Sequence, residues 1–446
     1  MLTVIPSRAP AQRALRNLQV AFASFALFTL APVAVRSQSL ASRVAQAPDG
    51  TVRLQFAGRA GVCGDGRDVV GYRNALFARD FQSIGHWNDT RCVPGPLHVT
   101  LTVAAGQVTR VQTRVGGAWP PTESPVTDLG VVPPREASVY FFSLVPRLET
   151  STEKDRLLIP AVLADDAEVI APLLALARDE SRTAPTRRQA VMWLGLLGDA
   201  SVIPTLVDFA RRDDDDGSGT RSKKGLGTTA MAALSTLEGD VGVPALIDLA
   251  RGSGVGTRRN AVFWLGQNGD PRARRMLHSV IEDTKEDSRV RSHAIFSLAQ
   301  GGDTPVSEFA YLRTIYPRLD DVELKEAVFQ GMMQDEDLEA GRWLIERARD
   351  PKEPTRLRRS ALFWAGQRAA TPTADILGVY RDAGEVALRE HAIFVLSQRR
   401  DDAATDALMR IAREDHDMDM RGKALFWLAQ KHDPRVTKMI ADLLLK

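Results

Sequence analysis

The heptapeptide Ala-Leu-Phe-Trp-Leu-Ala-Gln at 424–430 recurs as Ala-Leu-Phe-Trp-Ala-Gly-Gln at 361–367 and Ala-Val-Phe-Trp-Leu-Gly-Gln at 261–267, with looser copies at 294–300 and 392–398. Together with Ala190, Ala230 and Ala327, these mark eight anchors at successive spacings of 40, 31, 33, 33, 34, 31 and 32 residues. A period of this size signals a stack of helix pairs, because one such unit cannot bury its apolar face alone and does so against copies of itself.

With the anchor alanine numbered 0, Val, Leu or Ile follows at +1, Phe at +2, Trp at +3, Leu or Ala at +4, a small residue at +5 and Gln at +6. At about 100° per residue these apolar positions cover nearly the whole helix, leaving −1 and +6 on a narrow polar strip. Such a helix needs neighbours on several sides, and the small residues at 0 and +5 let backbones approach. A second amphipathic stretch follows most anchors: 202–212, 243–251, 273–282, 338–349, 406–413 and 436–445. Asp199, Asp270, Asp303, Asp401 and Asp433 stand at +9, where the second helix needs an N-cap, and Pro204 and Pro244 lie early in theirs. Arg187, Arg258, Arg291, Arg358, Arg389 and Arg421 recur at −3. An Arg recurring beside that Asp predicts a ladder of ion pairs or hydrogen bonds that stitches adjacent repeats, because the guanidinium fork suits carboxylate and carbonyl acceptors.

At these residues the chain resembles the short bacterial HEAT-like repeats that also occur in phycobilin lyase subunits. In that family the Arg, the small residue and the Leu of the first helix, and the Asp before the second, are structural signatures. Arg258, Ala261, Leu265 and Asp270 match them, with Arg291, Arg358 and Arg421 in equivalent places. The resemblance covers roughly residues 152–446 and implies an all-α solenoid of about eight to nine helix pairs. Two repeats depart from the pattern: Gly227 and Leu324 replace the −3 Arg, and Gly331 and Met332 lie inside the Ala327 helix, so local bending is expected there.

The N-terminus indicates the compartment. Arg8, Arg13 and Arg16 precede a mostly apolar run from Leu18 to Val35, and Val35-Arg36-Ser37 offers a small-residue cleavage site. Residues 1–37 therefore read as a secretory signal peptide, with an uncleaved membrane anchor as the alternative and 38–50 as a linker. The full chain has 58 basic and 56 acidic residues; without the four Arg of 1–37 it has 54 against 56. The apparent basic balance vanishes, and with it the electrostatic footprint of a nucleic-acid binder.

Residues 51–150 are rich in Gly, Pro and β-branched residues, and 51–56, 98–103, 108–115 and 138–144 alternate or cluster as strands do, with Ala105-Gly106 as a turn. A small β-rich domain is expected to precede the solenoid. Its Cys63 and Cys92 are the chain's two cysteines, an even count that in an exported protein favours one disulfide over two separate buried thiols.

Several apparent sites dissolve. The string Gly-Leu-Gly-Thr-Thr-Ala at 225–230 lacks the preceding strand of a dinucleotide fingerprint. Asp213–Asp216 lacks a carboxylate at the first and twelfth ligand positions, where Arg212 and Lys223 stand, so a solvated acidic insertion explains it better than a calcium loop. His293 and His391, at −1, have no Glu following in the His-Glu pattern of HEAT-like iron hydroxylases, and they are read as surface residues. No catalytic, cofactor or metal constellation is predicted.

Two surfaces compete for a ligand. Trp264, Trp364 and Trp427, with Trp193, lie beside Gln267, Gln300, Gln334, Gln367, Gln398 and Gln430. That row either stacks on a glycan or extended peptide, or packs between repeats with Gln capping helix ends; packing is the favoured reading. The second helices, which in HEAT-type arrays usually line the concave side, carry Arg211, Arg251, Arg275, Arg313, Arg342, Arg349, Arg410 and Arg413 among acids, a mixed-charge surface suited to a protein partner. Met439, Ile440, Leu443 and Leu444 lack a following repeat, which predicts self-association or partner docking there. The expected function is an exported, non-enzymatic scaffold in the periplasm or cell envelope that binds a polypeptide. The alternatives are a lyase-like or other enzyme built on the repeats, and a cell-wall glycan binder.

Overall fold

A computed structural model of the protein describes residues 38–67, 70–72, 75–77, 92–119, 125–150, 156–215, 225–300, 308–333, 338–431 and 433–444. The signal segment, Asp303 and Gln334 lie outside them, as do the side chains of Asp213 to Asp215, Leu443 and Leu444. The expected linker contains a short helix, α1 (Leu40–Ala45), capped by Ser39, with Leu40 and Val44 buried. Its first amide donates to Glu136 at 2.5 Å and Arg43 donates to the Leu129 carbonyl at 2.5 Å, so this segment is part of the domain that follows.

Strand alternation builds that domain. The strands are β1 (Gly50–Phe56), β2 (Val62–Gly64), β3 (Val70–Tyr72), β4 (Ala75–Phe77), β5 (Val93–Pro94), β6 (Leu97–Ala104), β7 (Gln107–Val115) and β8 (Val126–Val131). One sheet has the order β7-β6-β1-β8, with β1 and β8 parallel, and a second has the order β4-β3-β2-β5. In β1 the inward set is Val52, Leu54 and Phe56. The expected turn at Ala105-Gly106 has φ of 51° and 69°, the left-handed pair that suits a two-residue hairpin loop. Cys63 and Cys92 are disulfide-bonded, with Cα atoms 5.1 Å apart.

The strand expected at 138–144 is instead part of a helix, α2 (Pro134–Leu148). Its buried residues, among them Ala137, Tyr140, Phe141, Leu144, Val145 and Leu148, recur every three or four positions. The run Val-Tyr-Phe-Phe resembles a strand by composition, but Pro134 at the first helical position and Glu136 in the first turn start a helix. Phe141 then packs on Phe56 of β1, ring centres 6.0 Å apart.

The sheet is stitched to the array. After α3 (Ile159–Val162), Ala164 forms a β-bridge with Gly58, and Arg59 donates through its amide to Leu163 O (2.8 Å) and through Nε to Val162 O (2.8 Å). Helix α4 (Ile170–Arg178) leads, among the described residues, into eight pairs. These are α5 (Ala184–Leu197) with α6 (Ile203–Asp215), α7 (Gly225–Thr236) with α8 (Val243–Gly252), α9 (Val255–Gly266) with α10 (Pro271–Glu282), and α11 (Ser288–Gln300) with α12 (Phe309–Ile315). The remaining four are α13 (Val322–Met332) with α14 (Leu338–Arg349), α15 (Thr355–Gln367) with α16 (Thr373–Asp382), α17 (Val386–Gln398) with α18 (Asp402–Glu414), and α19 (Met418–Leu428) with α20 (Pro434–Leu444). Every anchor alanine falls inside the first helix of a pair and is buried.

The small +5 residue does what the pattern predicts. A Cβ on Gly195 would lie 2.6 Å from the Ala233 backbone, and one on Gly266 2.6 Å from Ser297 O, so neighbouring first helices touch through their backbones. The +9 acids Asp270, Asp401 and Asp433 accept backbone amides at the starts of their second helices, and Asp199 accepts from Ser201 N.

The −3 arginines do not meet those acids. Nε of Arg187, Arg291, Arg358 and Arg421 donates to a carbonyl at the end of the preceding second helix: Ala177, Ile281, Ala348 and Ala412. Arg258, Arg358 and Arg389 also reach forward to Glu286, Glu385, and Asp415 with Asp417, in the turns leading to the next first helix. The +9 Asp takes amides of its own helix and, at Asp270, Asp401 and Asp433, the nearby Arg272, Arg399 and Arg435, which leaves the −3 arginine to fasten helix ends that have no donor of their own.

Candidate functional site

The second helices project an arginine-rich surface. Arg211 (α6), Arg251 (α8), Arg275 (α10), Arg313 (α12), Arg342 and Arg349 (α14), and Arg410 and Arg413 (α18) are all exposed. Arg313 lies over the Phe309 ring at 6.0 Å, and Arg349 bonds Asp375 O at 3.4 Å. Among the described residues, Arg211, Arg251, Arg275, Arg342, Arg410 and Arg413 have neither an ion pair nor a hydrogen bond. The acids nearby are more often engaged: Asp208 by Arg212 at 2.7 Å, Glu282 by Arg318 at 3.4 Å, and Asp402 and Asp406 by Arg435 at 2.7 and 3.1 Å.

Two hollows open between successive second helices. The larger, about 370 Å³, lies between α8 and α10, where Arg251 and Arg275 flank Ile247, Asp248, Met276 and Ser279. Arg272 also lines it but is held by Asp270 at 2.5 Å and Asp240 O at 3.2 Å. The smaller, about 150 Å³, lies between α14 and α16 beside Gly341, Arg342, Arg368 and Thr371. Arg368 is buried there and donates to Met332 O.

One cluster escapes the repeat consensus. His278 stacks on Tyr311, centroids 3.8 Å apart and planes at 10°, and its Nε2 lies 3.3 Å from Glu308, which also faces Arg274 Nε at 2.9 Å. The Tyr311 hydroxyl donates to Glu282 at 3.3 Å; burial first, then the Glu282 charge, pushes its pKa well above the ordinary phenol. His278 and Tyr311 stand at the same repeat position, 17 residues after Ala261 and Ala294, but no other repeat carries an aromatic ring there, so the repeat consensus does not show the pair.

The aromatic row divides. Trp193 is buried, whereas Trp264, Trp364 and Trp427 are half-buried. Phe263, Phe296, Phe363 and Phe394 are also half-exposed, and Phe426 is 61 % exposed. Phe363 stacks on Phe394 at 6.5 Å, and Phe394 meets Trp427 at 5.4 Å, so the rings pack from repeat to repeat. Gln267, Gln367, Gln398 and Gln430 are exposed and Gln300 half-exposed; Gln267 caps α9 through its backbone amide and the Gln398 side-chain amide bonds Ser397 Oγ at 3.2 Å, but among the described residues no Gln side chain of the row caps a helix end.

His293 and His391 are half-buried, a correction to their reading as surface residues: each lies beside the Phe of the preceding repeat, at 6.1 and 6.5 Å. Burial, and then the Arg359 charge, lowers the His391 pKa to about 4. Met439 is also buried, so it cannot contribute to the docking surface expected at α20. Among the described residues no helix is long and apolar enough to cross a membrane, and no group of three or more His, Cys, Asp or Glu could hold a metal ion.

Residues 243–333 match the family model of HEAT repeats, and residues 186–211 match that of the PBS lyase HEAT-like repeat. No curated protein matches the chain. Similar solved structures include human deoxyhypusine hydroxylase in complex with glycerol, 19% identical over 56% of this chain and 97% of that one, with a TM-score of 0.26. The complex of CpcE and CpcF of phycocyanin lyase from Nostoc sp. PCC7120 is 19% identical over 54% of this chain and 92% of that one, TM-score 0.28. An engineered protein is 16% identical over 54% and 93%, TM-score 0.20.

Proposed function

We propose that this HEAT-like repeat protein is an exported, non-enzymatic scaffold that holds a polypeptide partner along its second-helix face. The observation that carries this reading is the division of labour among its arginines. Those at −3 are bound to helix ends and turns, whereas Arg211, Arg251, Arg275, Arg342, Arg410 and Arg413 are exposed and uncommitted. An exposed guanidinium with no internal partner keeps its five donors for an external acceptor. Export to the periplasm or cell envelope rests on residues 1–37 and on the disulfide, which persists in oxidising compartments.

In-cell crosslinking of the tagged mature protein in its native envelope, followed by mass spectrometry, tests both parts of the reading. The wild type should capture specific polypeptides that an Arg275→Glu/Arg342→Glu/Arg410→Glu variant loses. Capture of nothing by either form would sink the scaffold.

The half-exposed row from Phe363 through Phe394 to Phe426 favours one second reading, a cell-wall glycan stacked on the first helices. Quenching of Trp fluorescence by soluble wall fragments, abolished in Trp427→Ala, would support it.

A further inference from the structure

We infer that the partner is an acidic polypeptide bound in extended form across α8 and α10, with carboxylates three residues apart; this rests on the polypeptide reading above. Arg251 and Arg275 flank the 370 Å³ hollow from opposite helices, and among the described residues neither has an ion pair or hydrogen bond. Met276 is buried and Ile247 half-buried, so they give the hollow an apolar floor between two cations. Asp248 also lines it and disfavours a uniformly anionic strand, which points to single carboxylates separated by uncharged residues.

Spacing sets the register. Packed helices lie about 8–10 Å apart, and an extended chain in the polyproline II form has three residues per turn and rises about 3.1 Å per residue, so every third side chain of the ligand lies on one face and meets the next second helix. Arg211 and Arg251 each stand 21 residues after their anchor alanines, Ala190 and Ala230, so they lie level on α6 and α8 at that spacing, while Arg275, 14 residues after Ala261, closes the hollow nearer the start of α10. Charge complementarity of this kind selects partners and speeds encounter.

The test is fluorescence anisotropy of the mature protein with a labelled 15-residue peptide of repeating Glu-Ser-Val. A peptide with the same composition but clustered glutamates, and one with Gln in place of every Glu, serve as comparisons. The spaced peptide should bind at least about tenfold more tightly than either, and Arg251→Glu/Arg275→Glu should lose that advantage. Arg259→Glu/Arg359→Glu, the same charge change on the first helices, should retain it. All four arginines are exposed, and helical circular dichroism confirms that each variant folds. Equal binding of the three peptides, or equal loss in both variants, overturns the inference. So does displacement of the spaced peptide by dextran sulfate that itself binds more tightly, which would assign the face to anionic glycan. If crosslinking in cells captures polypeptides that depend on the second-helix arginines while the spaced peptide does not bind, the acidic partner is wrong and the polypeptide reading stands. If neither occurs, both are wrong.

Discussion

Arg358 and Glu385 stand 27 positions apart in the chain and 2.6 Å apart in space. Arg358 is 7 % exposed, and its Nε holds the Ala348 carbonyl at 3.0 Å, so one side chain fastens three helical units. Lysine carries the charge but not the fork. Arg358→Lys should therefore cost about 1–3 kcal/mol, because a buried acceptor is left without its donor. The variant should melt at lower temperature and exchange the amides of α15 to α17 faster; wild-type behaviour would mean that the repeated arginine contributes nothing.

Glycines in the array should divide by what surrounds them. A Cβ at Gly266 meets Ser297 O at 2.6 Å, so Gly266→Ala should force α9 from α11 and cost about 1–3 kcal/mol. Nothing lies within 4 Å of a Cβ at Gly422, inside α19, so Gly422→Ala should stabilise by about 0.5–1 kcal/mol. Opposite signs in urea unfolding would support this; equal destabilisation would refute it.

His391 makes stability fall with acid. Its folded pKa of about 4 lies below the 6.5 of a free imidazole, so the unfolded chain takes up the proton first. The contribution is intact above pH 6.5, falls away as pH drops towards 4, and amounts to roughly 2 kcal/mol after allowance for partial exposure. Melting temperatures between pH 7.5 and 4 should slope less steeply for His391→Gln than for wild type. Parallel curves would show that the ring is not held neutral.

The Cys63–Cys92 bond closes a loop of sequence separation 29. Chain entropy assigns such a closure about 3.5 kcal/mol, so Cys63→Ser/Cys92→Ser should lower the unfolding midpoint of the β-rich region by that order. Free-thiol titration of the denatured wild type should find no reactive group, whereas two would mean separate thiols.

The array was legible because its signal repeats: Phe263, Phe363 and Phe426 are each followed by Trp, and no strand or irregular chain sustains that period. The partners of the −3 arginines were not. Glu286, Glu385 and Asp415 lie 28, 27 and 26 residues beyond Arg258, Arg358 and Arg389, in turns whose length varies, so no fixed offset marks them. Helix α2 was missed because Val139, Tyr140, Phe141 and Phe142 favour strands by propensity, which packing on the sheet overrides. The arginine-rich face could be listed from the sequence, but which arginines stand uncommitted depends on contacts between repeats.

The strap joining Gly58 and Arg59 to the Val162–Ala164 turn gives unfolding a direction. In a stack held by nearest neighbours, structure is lost first where a unit has the fewest restraints. Repeats next to the cross-linked sheet inherit its rigidity, so limited proteolysis should leave fragments that keep α4 to α6. Reducing the disulfide should remove that protection and let digestion proceed from both sides.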